Sequence, residues 1–218
     1  MPRSTQKSLR SDRTHKRLRT LILKGGLPAG TPLPESRMAE ELGVSRVPVR
    51  EALLTLEQDG LVEFTSTGRA HVRSLKLRDF EELLAVRMAL ESAAARLAGA
   101  ALRGDCAALR ANIAETRRAK TLREVTRLDL EFHEAIVRAS GNRRLSRMWM
   151  STRNELVLWL SNLHRDHSGR SLDTRGVTAD SHEKLLASIL TRPPEEAARR
   201  AEEHVAGWSE WLPGAKGS

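Results

Sequence analysis

The chain has 218 residues, with 37 Lys+Arg against 28 Asp+Glu, a net charge of +9, and 39% hydrophobic against 30% charged residues. At about 150 residues per domain this allows one large or two small globular domains and excludes low-complexity disorder. One cysteine excludes a disulfide framework, the absence of Tyr an aromatic platform for single strands, and the lack of a ~20-residue apolar run a bilayer span.

The N-terminus, MPRSTQKSLRSDRTHKRLR, has no apolar core and does not read as a secretory signal. A cytoplasmic location and no membrane partner are expected. Residues 1–24 carry eight Lys/Arg against a single acid, Asp12, so seven of the nine net positive charges lie there. A basic end on a near-balanced chain suits a polyanion, or is an ordinary solvated face.

In chain order, Leu18, Leu21 and Ile22 recur at helix spacing and stop at Gly25-Gly26. The segment Leu27–Pro34, with three prolines and a glycine, cannot be helical. Glu35 to Leu42 is a short helix ended by Gly43. Ser45 reads as the N-cap of a helix from Arg46 to Gln58, with Pro48 in its first turn, where a missing N–H costs little. Residues 61–64 and 70–73 read as two strands of a hairpin turning at Gly68.

Ser74 to Leu77 reads as a linker between residues 1–75 and residues 78–212. Beyond it about six helices are expected: 78–102, 105–118, 121–139, 142–163, 181–190 and 193–211. His164 to Thr178 is expected as a long loop, with Asp180 and Glu183 as a capping-box-like start for the next helix. The fold class is therefore mainly α: a winged helix-turn-helix with a small β-hairpin, then an all-α antiparallel bundle.

In a helix-turn-helix the second helix lies in the major groove with its N-terminal residues toward the bases. Here these are Ser45, Arg46, Val47 and Arg50. Arg46 and Arg50 are four apart and share a face, and Arg is the best single reader of guanine. Arg37 is placed to reach a phosphate or base edge, and Gly68 and Arg69 sit at the wing tip.

The run Leu33-Pro34-Glu35-Ser36-Arg37-Met38-Ala39-Glu40-Glu41-Leu42-Gly43-Val44-Ser45-Arg46-Val47-Pro48-Val49-Arg50-Glu51-Ala52-Leu53, with Leu56 and Gly60-Leu61-Val62, closely resembles the winged helix of the GntR family of bacterial transcription regulators. The resemblance covers about residues 15–73. It implies contacts with double-stranded operator DNA by Arg37, Ser45, Arg46, Arg50 and the wing around Gly68. Two departures stand out. Val47 replaces a usual Thr, losing a hydroxyl for phosphate, and the wing Ser66–Val72 is slightly off the family pattern.

The second region places His133, His182 and His204 inside expected helices, and Asp129 shares a face with His133 at i,i+4. Three imidazoles and a carboxylate suit a divalent metal, zinc first, with nickel, manganese or iron also acceptable. From spacing alone, Asp129–His133 is equally a simple helix pair, and His182 and His204 equally core or surface histidines. His164 and His167 read as solvated loop residues. Trp208 and Trp211 read as core packing or a dimer contact, and Cys106 as a structural or exposed thiol.

The motifs Arg87-Met88-Ala89-Leu90-Glu91, Asp129-Leu130-Glu131-Phe132-His133, Ser140-Gly141-Asn142, His182-Glu183-Lys184-Leu185-Leu186 and His204-Val205 stand in the order seen in the FadR-like subfamily. Its ligand-binding part is the all-helical FCD domain, resembled here over about residues 78–207. That resemblance implies a divalent metal held by Asp129, His133, His182 and His204, with positions open for a small carboxylate effector. Arg87 and Asn154 are the expected effector contacts, with an ion pair to Glu91 the alternative for Arg87.

A homodimeric, ligand-responsive regulator reading a near-palindrome is thus the leading expectation, and not an enzyme. A purely structural metal or a metal-free effector site is one alternative. A metal-dependent hydrolase is another, disfavoured because Glu134 and Glu183, next to ligand histidines, point about 100° away from them. Nor is there an H-E-x-x-H pattern.

Overall fold

The computed structural model describes residues 3–169 and 173–211, without the side chains of 3–9, 162, 163, 165–167, 210 and 211. The chain divides into two compact units at Lys76/Leu77, one residue past the expected domain edge at 75.

The first unit runs α1 (Arg3–Leu23), α2 (Glu35–Leu42), α3 (Arg46–Gln58), β1 (Val62–Phe64) and β2 (Ala70–Val72). Helix α1 is far longer than its apolar residues suggest. Leu18 and Ile22 anchor it, while its first turns are charged and their helicity left no apolar period to read. Helix α3 buries Pro48, Val49, Ala52, Leu53 and Leu56 on one face and leaves Arg46, Val47, Arg50 and Leu54 exposed on the other. The α2–α3 turn depends on Gly43 at φ 67°, whose N–H closes α2 onto Ala39 and Glu40. Ser45 occupies the N-cap position, but its side chain makes no cap hydrogen bond, so the capping role expected of it is not realised.

The strands pair antiparallel, Val62 with Val72 and Phe64 with Ala70. Each is one residue shorter than expected. The proline-rich segment is no free loop: Gly30 N–H donates to Val72 O, Leu33 N–H to Ala70 O and Val72 N–H to Thr31 O. It lies along β2 and covers an otherwise open edge.

The second unit is helical: α4 (Leu77–Gly104), α5 (Ala107–Arg118), α6 (Leu122–Ala139), α7 (Arg143–Gly169), α8 (Thr174–Thr191), α9 (Pro194–Ala206) and a 3-10 turn, Gly207–Trp211. Helix α4 packs on α6, α7, α8 and α9, and α6 lies against α4, α5, α7 and α8. The expected long loop at 164–178 is overturned, because α7 continues to Gly169 and α8 begins at Thr174. The polar run His164–Gly169 is helical, and Asp173 supplies the cap for α8 through Gly176 N–H. Asp180 and Glu183 therefore do not cap a helix; both instead bind Arg117 of α5. The capping box sits at α6, where Thr121 Oγ1 accepts from Glu124 N–H and Glu124 reaches back to Thr121 N–H. Cys106 stands at the N-cap of α5, where its Sγ accepts from Arg110 Nε at 3.3 Å. The last expected helix, 193–211, splits at Gly207 into α9 and the 3-10 turn.

Candidate metal centre and nucleic-acid interface

Helix α6 projects Asp129 and His133 from one face into the bundle, 0% and 1% exposed. Helix α8 contributes His182, buried and stacked on Phe132 at 3.9 Å between ring centroids. Helix α9 contributes His204, partly buried. The three expected histidine ligands cluster from three helices, with Asp129 beside His182 and His133. His182 Nε2 is 3.0 Å from Asp129 Oδ1, His204 Nε2 is 3.3 Å from His133 Nε2, and His133 Nε2 is 3.9 Å from Asp129 Oδ1.

Those distances test whether an ion fits. Two donors ~2.1 Å from one ion are about 3.0 Å apart at a right angle, 3.4 Å at a tetrahedral angle and at most 4.2 Å apart. The three measured separations fall inside that range. One nitrogen from each histidine lies within 4.8 Å of the others, and bringing a pair at that limit to the ~3.4 Å of a tetrahedral site would close it by about 1.4 Å. Asp129 Oδ2 and His182 Nδ1 are buried without hydrogen-bond partners, which leaves donor capacity in the centre unspent.

Two of the three histidines have a group against Nδ1. Glu91 Oε2 of α4 lies 2.7 Å from His133 Nδ1, and Ser181 Oγ lies 2.9 Å from His204 Nδ1. A partner on Nδ1 fixes the ring and directs Nε2 inward, the usual support for a metal-binding imidazole. Burial lowers the affinity of His182 for a proton, with Asp129 opposing, and lowers that of His204 further, reinforced by His133 and His182. Neutral imidazole is the form that ligates. Burial alone would raise the Asp129 carboxyl, yet hydrogen bonding and charge from His182, with His133 and Arg87, hold it well below the usual carboxylate range.

Glu91 is the residue that sequence reasoning undervalued. It appeared only as a helix partner of Arg87. In the fold, its Oε1 accepts from Arg87 Nε at 2.6 Å and from Trp149 Nε1 at 2.8 Å, and Oε2 faces His133. Burial would raise its carboxyl, but Arg87, His133 and Trp149 together bring it well down. Nothing in the sequence marks Trp149 as a partner. Arg87 does make the alternative ion pair with Glu91, but its Nη2 remains buried with no partner, and its guanidinium lies 4.1 Å from the centre of the Trp208 ring.

A cavity of about 200 Å3 opens beside Asp129, His182 and His204 and is also bordered by His164, Thr178 and Trp208. Drug-sized sites run ~300–1,000 Å3, so this one suits a small molecule. His164, expected as a solvated loop residue, is 1% exposed on α7, with Nδ1 2.7 Å from Thr126 Oγ1. It was misread because the polar run around it hides the helical period. Trp208 is buried as expected; the side chains of His167 and Trp211 lie outside the described residues. Asn154 is half-buried on α7 and does not border this cavity.

In the first unit, Ser45, Arg46 and Arg50 are exposed at the start of α3, and Gly68 and Arg69 are exposed at the hairpin tip, with Gly68 at φ 75°. Arg37 Nε donates to Glu41 at 2.8 Å, and Arg50 Nε lies 3.9 Å from Glu35. Exposed pairs of this kind contribute only ~0–1 kcal/mol, so both guanidiniums are readily exchanged onto an anion. A groove lined by Arg10, Arg13, Lys16 and Arg17 of α1 runs to Gly43, Val44 and Ser45. It gives the basic N-terminal charge a place beside the recognition helix, which residue order alone did not show.

The gntR family model of bacterial regulatory proteins matches residues 10–72, and the FCD domain model matches residues 82–207. The chain is 31% identical to the "Probable D-xylose utilization operon transcriptional repressor" of Paenarthrobacter nicotinovorans, over 86% of this chain and 81% of that one. It is 32% identical to the Glc operon transcriptional activator of Escherichia coli K12, over 85% and 82%. A solved GntR structure from Rhodococcus sp. RHA1 superposes with a TM-score of 0.69 at 24% identity, covering 93% of this chain and 97% of that one, and so shares the fold. These relatives are transcription regulators rather than enzymes. Among the described residues no helix is long and apolar enough to cross a membrane. The chain belongs to the GntR family of bacterial transcription regulators, with a winged helix-turn-helix followed by an FCD domain.

Proposed function

We propose that this regulator binds a near-palindromic operator as a homodimer and that a small carboxylate, held at a divalent metal in the FCD domain, changes its operator affinity. Arg37, Ser45, Arg46 and Arg50 contact the major groove and its phosphates, and Gly68 and Arg69 the adjacent groove. Asp129, His133, His182 and His204 hold the metal. Arg87 receives the effector carboxylate; Asn154, which does not border the cavity, is left without a part in it. The ion supplies a positive, Lewis-acidic centre with room for a carboxylate oxygen.

The observation that carries this reading is the cluster of His133, His182 and His204, one nitrogen of each within 4.8 Å of the others, with Asp129 bonded to His182 beside it. Ser181 Oγ bonds Nδ1 of His204 and Glu91 Oε2 lies 2.7 Å from Nδ1 of His133, and the two Nε2 atoms face each other at 3.3 Å. Ligand binding must favour one of two domain arrangements over the other to regulate, typically by ~1–3 kcal/mol.

The test is metal content by mass spectrometry on protein purified without a histidine tag, beside His133→Ala/His204→Ala. One divalent ion per chain, lost in the variant, supports the centre. No ion in either overturns it and moves the effector to a metal-free site. The near-complete burial of Asp129, His133 and His182 favours one second reading, a metal that is only structural. Chelation would then lower the melting temperature while no small acid shifted operator affinity.

A further inference from the structure

Two buried residues that each carry a donor without an acceptor line one small apolar chamber in the FCD domain. Arg87, 2% exposed, has no hydrogen-bond partner for Nη2, and Trp159, 8% exposed, has none for Nε1. Both residues line a chamber of about 10 Å3 walled by Phe80, Leu83 and Leu160. None of those three walls offers a side-chain acceptor. A guanidinium and an indole N–H in an apolar enclosure call for an oxygen ligand, and a carboxylate satisfies the guanidinium best.

Trp208 borders this chamber and also the larger cavity beside Asp129, His182 and His204. Its ring centre is 4.1 Å from the Arg87 guanidinium carbon and 6.2 Å from the centre of the His133 ring. The indole is therefore a partition between the two spaces. It is carried on the 3-10 turn four residues after His204, across the Gly207 junction. With the partition in place the chamber has about the volume one water-sized probe occupies, so a carboxylate enters only as the indole gives way. The two distances place the His133 ring and the guanidinium no more than about 10 Å apart.

We propose that the effector site has two anionic ends and takes a short dicarboxylate. One carboxylate sits at the Asp129/His133/His182/His204 centre. The other sits on Arg87 Nη2 and Trp159 Nε1 once Trp208 moves aside. This rests on the reading of that centre as a metal-and-acid site with Arg87 on the effector, and it adds a separate carboxylate for Arg87, the Trp159 N–H beside it and the partition that guards both.

The experiment is isothermal titration calorimetry of metal-loaded protein with matched acids: succinate against butyrate, and glutarate against pentanoate. At least one diacid should bind ten times more tightly than its monoacid. Trp159→Phe, which keeps a ring but removes the N–H, should cut that ratio at least threefold. Should Trp159→Phe melt early, Trp208→Ala replaces it and should strengthen diacid binding severalfold by removing the partition. Equal affinity within both pairs, or no binding by any acid, overturns the proposal. Metal-loaded protein that fails in this way overturns the second anchor alone. Protein that fails and also carries no metal overturns the metal centre as well.

Discussion

Truncating Glu91 gives the most exacting test of how the centre is held. Its carboxylate is 4% exposed, pairs with Arg87 at 2.6 Å, accepts from Trp149 at 2.8 Å and faces His133 at 2.7 Å. Glu91→Ala leaves the Arg87 charge buried and uncompensated. Breaking one partner of a buried pair costs about 3–5 kcal/mol. At about 2–4 °C per kcal/mol for a domain near this size, the melting temperature should fall by roughly 6–20 °C. Arg87→Met/Glu91→Leu removes both charges and should recover part of that loss. It cannot recover all, because Trp149 Nε1 and His133 Nδ1 then lack acceptors, at ~1–3 kcal/mol each. Differential scanning calorimetry on the three proteins measures both effects. A Glu91→Ala protein melting within about 2 °C of wild type, or a double variant no better than the single, would refute the role given to the Glu91 carboxylate.

Glu91→Gln keeps the shape but weakens the hold on His133, and should lower divalent-metal affinity about 10–100-fold in a chelator-competition titration. Arg46→Ala should abolish specific operator binding in fluorescence anisotropy with helix content unchanged by circular dichroism; wild-type affinity would defeat the recognition-helix assignment. Arg10→Gln/Arg13→Gln/Lys16→Gln should lower the slope of log affinity against log salt by about 2–3 units if the α1 groove seats phosphates. Gly43→Ala forces a side chain into φ 67° and should cost about 1–2 kcal/mol in denaturant unfolding. Thr121→Ala should cost about 0.5–2 kcal/mol. Backbone hydrogen bonds from Lys120 and Thr121 lower the Glu124 carboxyl, so its share of that cap exists above its unfolded pKa, about 4.3, and is lost as pH falls through the lower folded value. Glu124→Gln should therefore differ from wild type at pH 7 and converge with it in acid.

What the sequence disclosed and what it withheld follow from the range of each interaction. The turn at Gly43, the exposed arginines of α3 and the shared face of Asp129 and His133 are local facts, set by helical period and by a glycine at positive φ. They were legible. The 164–178 stretch was not. Its polar residues belong to two helices, and the buried face of α8 is partly polar, with Thr174, Thr178 and His182 beside Ala179, Leu185, Leu186 and Ile189. A buried stripe that mixes threonine and histidine with leucine does not read as an apolar period.

The candidate centre divides in the same way. Its donor atoms were readable as residue types, whereas the atoms that aim them were not. Glu91 is 42 positions from His133, and Trp149 is 58 from Glu91; neither spacing has a period. Ser181 precedes its neighbour's ligand His182 but serves His204, 23 residues on. Only the packing of α4 against α6 and of α8 against α9 brings these groups together. The consequence is mechanical. Arg87 and Glu91 share a face of α4, and that helix begins at Leu77, directly after the DNA-binding unit ends at Lys76. On the proposed reading a ligand on Arg87 would draw on the same carboxylate that lies against His133. Metal and ligand would then be joined through Glu91, so a Glu91 variant should weaken both together rather than either alone.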